Sequence, residues 1–217
     1  MRDADLQEID RWALYRLQIL NEKVQRAYRE AEFHTIFHAL NNFCAVDLSS
    51  FYLDILKDRL YASAAKSPER RAAQSVLLET LTTLVRLMAP ILSFTAEEIW
   101  GYMPADLKEK ESVLLTTFPM VSKMGRPPEG KNFLKKSESN KTFLETWGKL
   151  IEVREEVSRL LEQQRREKKI GSSLEASVTL SAEGESWVVG LDKPYPLYQA
   201  APGEESVSPN PFYRLAG

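Results

Sequence analysis

His34 and His38 stand four residues apart, a spacing that puts both side chains on one helix face, as two zinc ligands would be. The intervening Thr35-Ile36-Phe37 lacks the glutamate of the metalloprotease motif, and the chain has no third histidine, so the pair predicts no metal site. Cys44, the one cysteine, lies between Phe43 and Ala45 and reads as a buried, inert thiol. Alone it can form neither an internal disulfide nor a cysteine-based zinc cluster. The sequence holds no GxGxxG loop and no GxxxxGK loop followed by Ser or Thr. Val121-Ser122-Lys123-Met124-Gly125 echoes a nucleotide-synthetase loop, but in the wrong order. The remaining candidates are polar and aromatic. Trp12, Arg16 and Lys23 fall at i, i+4 and i+11, one stripe beside the apolar residues of the same helix. An indole with two cations suits the stacking of a splayed base whose phosphates need partners. The same pattern equally fits a packed tryptophan with ordinary surface cations. Lys57 and Arg59 end a helix, where cations complement the macrodipole. Asn41 and Asn42 are unusual inside a helix and could cap it, bond across a bundle or read a base edge.

The elements that must position these residues are helices. Leu6, Ile9, Ala13, Leu17, Leu20, Val24, Ala27 and Ala31 recur every three or four residues and predict a helix over 4–31. Two more are predicted over 34–45 and 47–61. Ser67-Pro68 opens a fourth, with serine as cap and proline at the first helical position, and Pro90 ends it. Thr95 and Glu98, at capping-box spacing, start a fifth that ends near Met103. Five helices on short loops describe a bundle. Gly125, Pro127, Pro128 and Gly130 mark a linker. Thr142 and Glu145 then open a long helix that ends in Arg165-Arg166-Glu167-Lys168-Lys169. Ala176–Leu180 alternates like a short strand, and the last 27 residues, with five prolines, read as irregular. The organisation expected is a bundle over 1–121, a basic linker over 122–141, and a helix with a small α/β piece and irregular tail over 142–217. The fold class is mainly α.

At 217 residues, with 43% hydrophobic and 28% charged content, the chain reads as ordinary globular protein rather than disordered. No apolar run reaches the 18 or so residues needed to span a bilayer, and the acidic start MRDADLQEID has no signal-peptide core, so a cytoplasmic protein is expected. The net charge of -2 hides a segregation. Residues 1–122 carry 14 basic and 17 acidic side chains, 123–169 carry 13 and 8, and 170–217 carry 2 and 6. A basic strip thus runs through an acidic protein. It suits phosphates, whose neutralisation releases condensed counterions, although interspersed glutamates also suit a solvated helix face.

Several stretches resemble the anticodon-binding domain of bacterial-type isoleucyl-tRNA synthetase: Asp10-Arg11-Trp12, Phe33-His34, Asn42-Phe43-Cys44, the run DLSSFYLD over 47–54, and Lys57-Asp58-Arg59-Leu60-Tyr61. Met88 to Trp100 (MAPILSFTAEEIW) and Lys169 to Ala176 (KIGSSLEA) extend the resemblance to about residues 5–181. The Asp-Arg-Trp start and the APILSFTAEEIW helix are shared with the valyl and leucyl enzymes, whereas FYLDILKDRLY together with IGSSLEA points to the isoleucine enzyme. From about Trp187 onward the residues match no part of the pattern.

The resemblance implies a piece of a larger enzyme that joins isoleucine to its tRNA with ATP and magnesium in a separate catalytic domain, and edits mischarged valine in another. Neither the HIGH nor the KMSKS signature is present, so the fragment is expected to be inactive alone, without cofactor, and without the zinc module of many relatives. Its implied partners are the anticodon stem-loop of an isoleucine tRNA and the remaining domains of the synthetase, with a monomer expected. Arg11 and Arg16 would meet phosphate or base edges, and Trp12 would stack a base or brace its helix. Lys23 and Asn42 complete that set. Lys57 and Arg59 would hold backbone phosphates. Lys135, Lys136, Arg165, Arg166, Lys168 and Lys169 would add sequence-independent attraction. Two alternatives remain: the equivalent valyl or leucyl domain, and a helical scaffold for a protein partner, which an exposed Trp12 or Trp147 would favour.

Overall fold

The stripe that begins at Leu6 becomes α1 (Glu8–Arg29), whose buried side is Ile9, Trp12, Ala13, Leu17, Leu20, Val24 and Ala27. The computed structural model describes residues 6–120, 137–172, 175–183 and 186–192. The chain divides into two compact units, Met1–Lys135 and Lys136–Gly217.

In the first unit α1 is followed by α2 (Phe33–Asn42), a π-helical segment (Phe43–Tyr52), α3 (Leu53–Tyr61), α4 (Pro68–Met88) and α5 (Ser93–Tyr102). Two short 3-10 turns, Ala105–Leu107 and Val113–Leu115, follow. The break expected near residue 46 is absent. Residues 33–61 form one continuous helical run, because no Gly or Pro interrupts it. The π segment does the re-phasing instead. Besides Tyr52, the buried residues at 43, 47, 51 and 56 step by four or five, wider than the 3.6-residue turn of an α-helix. That wide turn keeps Phe43, Asp47, Phe51 and Leu56 on the inward side.

One core cluster joins Leu17, Leu20, Val24 and Ala27 of α1 to Ile36, Ala39 and Leu40 of α2, Phe43, and Leu84 and Leu87 of α4. Each fully buried Leu, Ile or Val among them contributes about 1.5–3 kcal/mol through removal from water. A second cluster packs Val85 and Ala89 against Ala96, Trp100, Met103 and Val113. Trp100 donates its indole N–H to the carbonyl of Lys110 at 2.9 Å. As expected, Ser67 caps α4, its hydroxyl accepting from the Arg70 N–H at 3.3 Å. Helix α5 starts at Ser93, two residues ahead of the expected Thr95.

In the second unit α6 (Ser137–Arg166) precedes an antiparallel hairpin of β1 (Ser177–Glu183) and β2 (Ser186–Asp192), with Val178 opposite Leu191 and Leu180 opposite Val189. Strand β2 was not expected. Val157 and Leu161 of α6 form a small core with Ile170, against which Ala176, Val178 and Leu180 pack.

Candidate nucleic-acid interface

Three of the first-unit residues expected to meet RNA, Arg59, Trp12 and Arg16, are turned to the fold, and a fourth, Lys57, pairs at the surface. Asp10 is fully buried in the first turn of α1. Its carboxylate accepts from the Gln7 backbone N–H at 3.0 Å, from the Tyr52 hydroxyl at 2.8 Å, and from both terminal nitrogens of Arg59 at 3.0 and 2.8 Å. Arg59 also donates to the carbonyl of Glu69 at 2.9 Å. It therefore ties α1 to α3 and α4 instead of holding phosphate, because a buried carboxylate needs a paired cation more than solvent does. Burial and the adjacent Asp10 charge drive the Tyr52 phenol well above its ordinary pKa, with Arg59 partly opposing.

Trp12 is 2% exposed and meets Phe51 edge to face at 4.8 Å between ring centroids. Its ring braces the bundle and cannot offer a face to a base. Arg16 donates to Asp47 at 2.8 Å; the π segment turns that aspartate inward, and the pair joins it to α1. Lys57 pairs with Asp54 at 2.8 Å, and the hydrogen bond to Asp54 raises the lysine's pKa. Burial and pairing were invisible at the level of spacing, since all four residues are polar-edged and helical.

Arg11, Lys23 and Asn42 are exposed. Lys135 and Lys136 lie outside the described residues. In the second unit Arg165, Arg166, Lys168 and Lys169 are all exposed at the end of α6. Arg165 pairs with Glu162 and Lys169 with Glu167, the latter lowering the glutamate's pKa. Lys168 itself adopts a left-handed φ of 56°, and the Lys169 N–H returns to the Gln164 carbonyl at 3.0 Å, which closes the helix and splays the cations around its tip.

Spacing also passed over the outer face of α2. Phe33 and Phe37, four apart, are 57% and 62% exposed, beside exposed His34, His38, Asn41 and Asn42. Once Ile36, Ala39 and Leu40 are assigned inward, the helical period alone turns these six outward.

Residues 10–180 match the family model for the anticodon-binding domain of tRNA ligases. The chain belongs to that family. Its anticodon-binding domain is similar to part of several isoleucine–tRNA ligases. One from Geobacter sulfurreducens is 51% identical over 176 residues, covering 81% of this chain and 17% of the relative. Another, from Carboxydothermus hydrogenoformans, is 51% identical over 180 residues, covering 83% and 18%. A third, from Syntrophotalea carbinolica, is 44% identical over 191 residues, covering 88% and 19%. The chain thus spans less than a fifth of the length of these relatives. The match begins at Asp10, the buried carboxylate that anchors the anticodon-binding domain's first helix.

Proposed function

We propose that this anticodon-binding domain grips the anticodon stem-loop of an isoleucine tRNA as part of an isoleucine–tRNA ligase. The observation that carries the reading is the family match over residues 10–180, with relatives named isoleucine–tRNA ligase at up to 51% identity. In the whole enzyme, isoleucine is activated with ATP and magnesium and joined to tRNA outside these residues, and this domain takes no cofactor and no zinc of its own. It works as a monomer in the cytoplasm; among the described residues no helix is long and apolar enough to cross a membrane.

Exposed Arg11 and Lys23 on α1 and the cations at the tip of α6 supply the electrostatic part of binding, which positions the RNA without reading it. The scaffold reading loses its main support, because Trp12 and Trp147 are 2% and 6% exposed. Fluorescence anisotropy with a labelled isoleucine anticodon stem-loop, against one with a changed anticodon, tests the proposal across a salt series. Salt-dependent binding that prefers the cognate loop is expected. Absence of binding even at low salt overturns it.

A further inference from the structure

The ten residues of α2, FHTIFHALNN, include no Asp, Glu, Lys or Arg. A bundle helix with one face in water ordinarily fills that face with charge. Here the outward face holds two phenylalanines, two imidazoles and two amides. Phe33 and Phe37 are more than half exposed while Ile36, on the inward side, is completely buried. Residues four apart on a helix have Cβ atoms about 5–6 Å apart, close enough for both rings to serve neighbouring bases of one loop. The Phe37 ring also meets His38 edge-on at 5.5 Å, which limits its freedom.

The chemistry of this face differs from that of the exposed apolar residues around α5 and the turn at 113–115. Ile91, Leu92, Phe94, Leu114 and Leu115 are exposed hydrocarbon without interleaved amides or imidazoles. On α2 each ring has a hydrogen-bonding neighbour, and Asn41 and Asn42 offer both a donor and an acceptor. Unpaired nucleobases need this combination: a π-face to stack on, and groups that bond their edges. Cations stand nearby in sequence. Lys23, Arg26 and Arg29 are exposed on the last two turns of α1, which pass through the Glu30–Glu32 turn directly into α2.

We propose that the outer face of α2 is the platform for unpaired loop bases, with Phe33 and Phe37 as stacking surfaces, Asn41 and Asn42 reading base edges, and Lys23, Arg26 and Arg29 holding the flanking phosphates. This rests on the RNA-binding reading above and adds the residues that distinguish a loop from a duplex.

The test uses the 217-residue chain, an anticodon stem-loop with 2-aminopurine in its loop, and the same stem as a loopless duplex. The wild type is expected to bind the loop at least about fivefold more tightly than the duplex and to quench the 2-aminopurine as it stacks. The double variant Phe33→Ala/Phe37→Ala is expected to lose about fivefold or more in affinity for the loop, together with the quench. It should keep the salt slope and the urea midpoint, since both rings are exposed. Phe37→Trp should keep affinity and quench. A double variant that binds and quenches like the wild type overturns the α2 platform and leaves the RNA reading intact, as does wild-type binding that treats loop and duplex alike. A wild type that binds no RNA at low salt overturns both. A fall in midpoint as large as the loss of affinity assigns the rings to the fold and overturns the platform.

Discussion

Arg59 and Lys57 sit two residues apart at the end of α3, and spacing alone gives them one role. The structure separates them by what each faces. Arg59 is clamped on fully buried Asp10, whereas Lys57 pairs with Asp54 in water. Arg59→Ala would strand a buried carboxylate and is expected to cost about 3–5 kcal/mol of unfolding free energy. Lys57→Ala should stay within about 0.5 kcal/mol. Urea titration of the two variants checks the contrast, and equal midpoints would refute it. Arg16→Ala belongs with the former, at about 1–3 kcal/mol, because Asp47 is largely buried and would be left without its cation. Tyrosines give the same region a pH signature. Burial pushes the Tyr28 phenol up to about 12 and that of Tyr52 higher still. The unfolded chain releases these protons near pH 10 while the folded chain keeps them. Stability is therefore full below pH 10 and falls above it, by up to about 1.4 kcal/mol per pH unit for Tyr52 and less for half-buried Tyr28. Urea midpoints at pH 9 and 11 should show the fall. A Tyr52→Phe variant, compared with itself across the same range, should show a shallower one.

At the level of elements, the sequence made α1 legible by its long apolar stripe, and α4 by a stripe together with a start signal that chemistry enforces. For α4 that signal is the Ser67 hydroxyl on the Arg70 N–H and a proline where no N–H is needed. The π segment was illegible for a physical reason: a helix that widens its turn keeps good helix-forming residues throughout, and only the change in burial period from 36–43 to 43–56 records it. Chain reversal after α1 is another case. The Glu32 N–H reaches the Ala27 carbonyl at 2.9 Å and the Ala31 N–H reaches Tyr28 at 3.3 Å, a helix closure that usually employs glycine. Ala31 takes it with φ 57°, and a Cβ in that region costs about 1–2 kcal/mol. Ala31→Gly relieves that strain but loosens the unfolded chain, so a net gain of about 0.5–1 kcal/mol is expected. A lower thermal midpoint for Ala31→Gly would contradict it. The α2 face was hidden differently. Composition alone does not say which side of FHTIFHALNN faces inward, and Ile36, Ala39 and Leu40 take that side.

Across the whole molecule, charge is arranged by unit even though its sum is nearly neutral. The first unit spends its inward-facing arginines on carboxylates, Arg59 on Asp10 and Arg16 on Asp47, so those cations hold the fold. At the tip of α6 the balance differs: four cations stand within five residues, against Glu162 and Glu167 as the acids they meet among the described residues. Segment counting made this asymmetry visible in the sequence, because charge is read directly while pairing is not. If the tip serves phosphates, its contribution is counterion release, and it appears in the salt dependence of binding more than in anticodon preference. Replacing Arg165, Arg166, Lys168 and Lys169 together by Gln keeps helix propensity and removes only the charge. The slope of log K against log salt for the anticodon stem-loop should then flatten by about 0.7 for each phosphate that the variant no longer neutralises. The ratio of cognate to altered anticodon should hold, because ions that touch only phosphate carry no sequence information. An unchanged slope would make the tip a solvated helix end, its glutamates already neutralising the cations, and would leave the attraction to the exposed residues of α1.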